Sequence, residues 1–490
     1  MIRLLVDPAI DGPELRYAAR QLLLLARLPH RILSYDVARR EDREEGPVVS
    51  YGRRLPPLDL RTDLHVRAVP DPGESVRWPG PTGTGRPILH RGLPVLSAGS
   101  PAVDGHVARL EGRLETDLDL FASTFALLSR AEEIGAPERD RFGRFPASSS
   151  VATAHSFLSR PVVNEYADLF AGWVEPLGAE AARCPPWSQG FVFCVTHDID
   201  QLALFSSLRQ VAGAIRRIAR GPRRTRRMLR LGVDGIAARR GRRSDPYDCF
   251  ARLFELERDR GIAATYYVMA GGGGQHEGRY RLSDALPLLD ALVRQGHEIG
   301  VHGSLKTWRD GERLAREVEA IARRIGGDVA GGRQHYLRLS VPETWRAAAA
   351  AGLRYDSTLG YPDAVGFRAG VCTPYRPFDP ATRDATALWE LPLAVMDATL
   401  HTVLRLTPDE AVRRTIDVAR VVAEHHGLFV LLWHNTSMYD VLHPGWTGVL
   451  PRIVDELRAL GGEPLRMMDA VERWERHVRA LRCAEAHEVD

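Results

Sequence analysis

The sequence predicts an α/β protein. Its larger, C-terminal part has strands alternating with helices around a parallel sheet, open or closed into a barrel. A separate N-terminal α/β domain precedes it. Three observations carry this expectation. Beyond residue 189, short β-rich runs alternate with amphipathic stretches, the rhythm of βα units. Acids and histidines fall at the C-terminal ends of those runs, where parallel α/β folds build their sites. Residues 1–150 carry no constellation assignable to chemistry.

The chain has 490 residues, long enough for two or more domains, and is 44% hydrophobic, which supports a packed core. Lys+Arg 66 against Asp+Glu 63 leaves +3, so overall charge names no partner. Five cysteines (Cys184, Cys194, Cys249, Cys372 and Cys483) are scattered without a CxxC pair. They indicate neither a disulfide framework nor a zinc knuckle and fit a reducing compartment. The N-terminus has no basic leader running into a long apolar core, and the apolar run at 21–28 is short. A cytoplasmic address follows, with a peripheral position at the inner membrane face left open.

In order, residues 1–6 read as a strand and 14–26 as a helix. Residues 48–51 and 64–69 read as short strands, and Pro, Gly and Ser between 55 and 101 as turns. A helix is expected over 110–134, with Leu118, Phe121, Phe125 and Leu128 on its apolar stripe. Residues 135–146 read as a linker, and 152–177 as a helix broken near Pro176. The expected division is an N-terminal domain over 1–150, a helical linker over 151–188 and a barrel unit over 189–490.

Residues 191–200, Phe-Val-Phe-Cys-Val-Thr-His-Asp-Ile-Asp, read as a buried strand ending in acids. Alternation puts Asp198 and Asp200 on one face and His197 on the other. Two adjacent carboxylates are tolerated when a cation lies between them or one is protonated, and either arrangement suits hydrolysis. The plainer reading is a strand running into a solvated loop.

An insertion over 202–243 follows, with thirteen arginines between Arg209 and Arg243. Leu204, Leu208, Val211, Ile215 and Ile218 recur at helical spacing. Such a segment suits anionic lipid or an acidic sugar, but the sequence alone favours a solvated helical hairpin. No nucleic acid is expected, because no aromatic interleaving accompanies the charge.

Helices are then expected over 245–260, 286–295, 311–325, 342–351, 408–425, 450–460 and 467–474. Strands are expected over 263–269, 298–301, 389–393 and 428–433, with a glycine loop at 271–274 and no element assigned to 333–338. Two of these strands end at His302 and at His434-Asn435.

Four stretches stand out together: Thr196-His197-Asp198-Ile199-Asp200, Gly296-His297-Glu298-Ile299-Gly300-Val301-His302, Arg333-Gln334-His335-Tyr336 and Leu431-Leu432-Trp433-His434. In order and spacing they resemble the motifs of the polysaccharide deacetylases of carbohydrate esterase family four, the NodB-like deacetylases. Tyr355–Tyr361 and the Trp389-Glu390-Leu391-Pro392-Leu393 stretch resemble a bacterial branch whose members carry an N-terminal extension. The resemblance covers about half the chain and leaves 1–150 without a role.

The resemblance implies a distorted (β/α) barrel and a divalent metal, zinc by ligand type. It implies a hydrolase that removes N-acetyl groups from an amino-sugar polysaccharide or its biosynthetic intermediate. One acid of the Asp198–Asp200 pair would be the general base and the other a metal ligand, a division the spacing leaves open. With Asp198 as base, Arg333 would orient it and keep it charged, His434 would be the general acid and the backbone near Tyr336 would help to hold the oxyanion. Asp200 and His302 would bind the metal. The sequence departs from the family at Lys306, where a second histidine is usual, and lysine is no substitute for neutral imidazole. At His335 the family usually has proline, so His335 is the expected replacement ligand. The alternatives are loss of the metal site with a carbohydrate-binding or scaffolding role, or hydrolysis of a non-sugar amide. His297 reads as structural, Arg338 and Trp345 as core or substrate-lining, and Asp356 as a turn residue.

Overall fold

Five strands of the N-terminal part have a parallel partner. The structure is a computed structural model describing residues 1–40, 46–68, 88–96, 106–110, 112–179, 186–187, 190–221, 223–271 and 280–486. Cys184, Pro185 and most of the glycine loop expected at 271–274 lie outside the described residues. The N-terminal sheet runs in the order His30–Ser34, Ile2–Val6, Val48–Gly52, Leu64–Arg67, Arg113–Thr116 and Val107–Leu110. All neighbours are parallel except the last pair, an antiparallel hairpin. The strand His30–Ser34 was not expected from the sequence.

The helix expected over 110–134 is confined to Leu120–Leu128. Gly112, at φ 87°, turns the preceding residues into the hairpin. The Asp119 carboxylate then caps the helix by accepting from the Ala122 N–H at 2.8 Å. The helix expected over 152–177 is split by Pro161 into Val151–Ala154 and Val162–Val174.

The second sheet holds the candidate site. Its main strands are β1 (Phe191–Ile199), β2 (Thr265–Val268), β3 (Glu298–Gly303), β4 (Gly331–Gln334), β5 (Tyr355–Asp356), β6 (Trp389–Glu390), β7 (Val395–Met396) and β8 (Leu428–Leu432). The hydrogen-bonded order is β6-β5-β4-β3-β2-β1-β8-β7, all parallel. This is chain order wrapped into a ring with one seam, between β6 and β7. At the seam the chain changes partner: Leu391 N–H donates to the Asp356 carbonyl, and Ala394 N–H to the Val430 carbonyl. Of the strand expected at 389–393 only Trp389–Glu390 forms, and β7 follows beyond it with a different partner. The expected fold class holds, a distorted (β/α) barrel with a further sheet at its N-terminal side.

Alternation along β1 separates two cores. Phe191, Phe193, Val195 and Ile199 face the outer helices, while Val192 and Cys194 join Tyr267, Tyr355, Val430 and Leu432 in a second cluster. Helix Met467–Ala486 lays Met467, Val471, Trp474 and Val478 on that second cluster. The Tyr355 ring explains the first residue of β4, a strand of Gly-Gly-Arg-Gln. A Cβ at Gly331 would lie 1.9 Å from the Tyr355 ring, so only glycine lets the backbone pass.

Helix Gly311–Ile325 is capped by Asp310, and Pro408–Glu424 by a Thr407–Glu410 capping box. The helix expected from 245 begins instead at Phe250. The Asp245 carboxylate is used elsewhere, accepting from the N–H groups of Leu204 (2.6 Å), Phe205 (2.8 Å) and Tyr247 (3.0 Å). It fastens the start of the arginine-rich insertion to its end. The insertion itself forms helices Leu208–Ala219 and Arg224–Arg239. No described helix is long and apolar enough to cross a membrane.

A buried ion pair joins the segment after the N-terminal sheet to the barrel. Arg368 donates to Glu133 at 2.9 and 2.6 Å, and Arg130 Nε donates to the same carboxylate at 2.8 Å. All three residues are almost wholly buried. Replacing Glu133 by Ala leaves two buried guanidinium groups short of a carboxylate. We expect a loss of about 3–5 kcal/mol of unfolding free energy, read by urea denaturation.

Candidate active site

The inward face of β1 continues past its apolar residues as Thr196, Asp198 and Asp200. Arg333, on β4, reaches across to meet it. This guanidinium is fully buried and every arm is occupied. Nε donates to the Ser357 carbonyl and Nη2 to the Ser357 hydroxyl, each at 2.9 Å. Nη1 donates to Thr196 Oγ1 at 2.8 Å and to Asp198 Oδ1 at 2.9 Å. Its flat face lies 4.5 Å from the Tyr267 ring centroid. Asp198 is thus held in one orientation, with Oδ2 facing the centre of the mouth.

His302, near the end of β3, donates from Nδ1 to the Arg333 carbonyl at 2.9 Å. A carbonyl only accepts, so Nδ1 carries the proton and Nε2 is turned to the acids. Nε2 lies 3.2 Å from Asp200 Oδ1 and 3.8 Å from Asp198 Oδ2. Burial opposes charge on His302, but the two carboxylates outweigh it and raise its pKa. His335, just beyond β4, places Nε2 3.5 Å from the same Asp200 oxygen. Burial pulls its pKa down to about 4, favouring neutral imidazole. Burial would raise the pKa of Asp200, yet His335, His302 and His434 together hold it well below the usual range.

Asp200, His302 and His335 each present a ligand atom within 4.8 Å of the other two. Asp200 Oδ1 and His335 Nδ1 are buried without a hydrogen-bond partner. Two imidazoles and one carboxylate, with unsatisfied buried atoms among them, fit a single divalent cation of the zinc type that keeps a position open. Lys306 lies outside this group, exposed at the start of the Thr307–Arg309 turn.

His434 stands opposite, past the end of β8. Its Nε2 is 3.8 Å from Asp200 Oδ2. Its Nδ1 lies 2.7 Å from Asp397 Oδ1, and its backbone N–H donates to the other Asp397 oxygen at 2.8 Å. Burial opposes the imidazolium, but Asp397 outweighs it and raises the His434 pKa to about 10. Side-chain exposures of 26% for Asp200 and 13% for His434 leave both reachable from the mouth.

Asp397 was missed in the sequence. It sits just past β7, at the same kind of strand end as the other acids, and that placement was the available signal. Thr196 and Ser357, which fix Arg333, were missed as well. Tyr336 adopts φ 62°, and its ring is sandwiched between His335 (4.1 Å) and Phe142 (4.4 Å). Its carbonyl accepts from Arg144 at 2.6 Å. The side chain therefore braces a candidate ligand from the 135–146 segment.

His197, on the outer face, lies 2.8 Å from Glu257 and 2.7 Å from the Trp433 carbonyl. His297 accepts from the Ala264 N–H at 3.1 Å and lies 3.5 Å from Glu257. Both belong to a buried outer cluster. Trp345 is core, donating to Glu390 at 2.7 Å, while Arg338 stacks on Trp308. Asp356 accepts from the Thr358 N–H and hydroxyl, as a turn residue would. It is also fully buried, with its pKa pushed up to about 6 by burial.

A family of unknown function, DUF7033, matches residues 89–178, which end before the barrel begins. No curated protein matches. Solved structures that are similar include one from Mycobacterium smegmatis assigned as a polysaccharide deacetylase, with 21% identity, 60% of this chain and 93% of that one covered, and a TM-score of 0.42. Another is Puue allantoinase, with 14% identity, coverage of 60% and 93%, and a TM-score of 0.41. A third is a CE4 family pseudoenzyme from Bacillus anthracis, with 11% identity, coverage of 57% and 64%, and a TM-score of 0.29. The fold assignment rests on the strand order itself.

Replacing Asp397 by Asn removes the charge that favours the His434 imidazolium. We expect the His434 pKa to fall by at least about one unit, followed by the NMR shift of its ring protons.

Proposed function

We propose that this chain is a metal-dependent hydrolase that removes N-acetyl groups from an amino-sugar polysaccharide or its biosynthetic intermediate. The observation that carries this reading is the convergence of Asp200, His302 and His335 between Asp198, which is paired with Arg333, and His434, which is paired with Asp397. The motif resemblance supplies the reaction class, and the ligand atoms agree with its metal requirement.

Asp200, His302 and His335 would hold a divalent cation, which when bound would supply Lewis acidity toward an amide carbonyl and a water. The remaining steps fall to side chains of this chain. Asp198, fixed by Arg333, accepts the proton of the attacking water at Oδ2. His434 enters the cycle protonated and gives its Nε2 proton to the leaving amine nitrogen. Asp397 positions His434 and stabilises its charged form. Asp198 and Asp200 divide their tasks by neighbour: the first faces a guanidinium, the second two imidazoles. The backbone near Tyr336 remains the candidate for a hydrogen bond to the oxyanion.

The test combines metal analysis with acetate release from N-acetylated amino-sugar oligosaccharides. The purified protein is expected to carry about one zinc per chain, to release acetate, to lose activity on chelation and to regain it with zinc. His335→Ala is expected to lower both metal content and acetate release. Metal without acetate release would direct the search to a non-sugar amide. Absence of both, with glycan binding retained, would point to a carbohydrate-binding or scaffolding protein.

A further inference from the structure

The arginine-rich insertion is not used by the chemistry above, yet it is firmly built. Asp245 ties its two ends together. Tyr439 donates to Asp234 at 2.9 Å, and Arg227 Nε donates to the Val441 carbonyl at 2.7 Å. Arg217 donates to Thr402 at 2.9 Å. The hairpin therefore packs on segments that follow His434 and Asp397, and its first helix starts eight residues after Asp200. It adjoins the mouth of the barrel.

Its inner and outer faces differ in kind. Ala214, Ile218 and Leu231 are buried with Leu204, Tyr247, Tyr439 and Leu442. On the outside, Leu208 is 80% exposed, Leu229 67%, Val233 55%, Ile236 55% and Ile215 43%. Leu229, Val233 and Ile236 follow i, i+4, i+7 spacing and form one stripe on the second helix. Leu208 and Ile215 do the same on the first. The neighbouring Val403 and Leu404, next to the Thr402 that Arg217 holds, are also exposed, at 46% and 40%. These seven are half of the fourteen large exposed hydrophobics among the described residues, so they are a concentration and not scatter.

Charge borders the stripes. Thirteen arginines lie between 209 and 243 against one acid, Asp234, which is buried. Exposed aliphatic stripes flanked by arginine, on helices that lie along a surface, match the two components of an anionic bilayer interface: acyl chains and phosphate headgroups. Nucleic acid would use the charge but leave the aliphatic stripes unexplained.

We propose that the helical hairpin Leu208–Arg239 is a docking surface for an anionic phospholipid bilayer, setting the barrel mouth beside the membrane. Docking is independent of whether the barrel is a deacetylase, because its readout is binding.

The experiment is flotation of the purified full-length protein with phosphatidylcholine vesicles, with and without phosphatidylglycerol, alongside duplex DNA binding measured by anisotropy. The comparison variant combines Leu229→Ser, Val233→Ser and Ile236→Ser, all exposed positions, and its melting temperature is checked against the parent. We expect binding only to phosphatidylglycerol-containing vesicles, weakening with salt, and a loss of about tenfold or more in the triple variant. Failure of the parent to float with anionic vesicles would overturn the proposal. So would a triple variant that keeps full vesicle affinity, or DNA binding that exceeds vesicle binding and ignores the three substitutions.

Discussion

A guanidinium enclosed in a barrel has to be neutralised, and the candidate site is arranged around that requirement. Arg333 has no solvent to share its charge. Its hydrogen bonds therefore fix Asp198 and Thr196 on β1 and Ser357 after β5. Its carbonyl fixes the tautomer of His302 on β3. One side chain thus sets the relation between four strands, and the geometry at the mouth follows. Glycine at 331 is part of the same constraint. Without it the Tyr355 ring could not lie against β4 beside the arginine.

The candidate ligand set departs from the motifs it resembles at two linked places, Lys306 and His335, and the structure gives both a physical setting. Lys306 is exposed, so its charge costs nothing where it stands. His335 comes from the end of the neighbouring strand and points at the same Asp200 oxygen as His302. Its ring is held by Tyr336, which is held in turn by Phe142 and Arg144. The segment before the barrel, silent in the sequence, is thereby joined to a candidate ligand. With Glu133 bound to Arg368, it meets the barrel through both stacking and charge.

Period-two alternation made much of this legible. It placed Asp198 and Asp200 on one face and His197 on the other, and the apolar runs ending at His302 and His434 gave strand ends directly. Other parts were hidden because tertiary contacts override local pattern. β4 has no β-rich composition, since the Tyr355 ring demands glycine at 331 and Leu353 and Val301 crowd Gly332. The strand expected over 389–393 stops at Glu390, and β7 follows at Val395–Met396 with a different partner, which concealed Asp397 at its end. Asp245 looks like a helix cap but serves backbone groups 40 and 41 residues away. The arginine run favoured a solvated hairpin in sequence, and only the exposure of Leu208, Leu229 and Val233 separates its two faces.

The central claim is that three side chains from two neighbouring strand ends and the end of β1 form one metal site. Crystals soaked in zinc and measured across the zinc absorption edge test it most directly. The account predicts a single strong anomalous peak about 2.0–2.2 Å from Asp200, His302 and His335, with a coordination position open toward His434. A peak elsewhere, or none at those three residues, would contradict it.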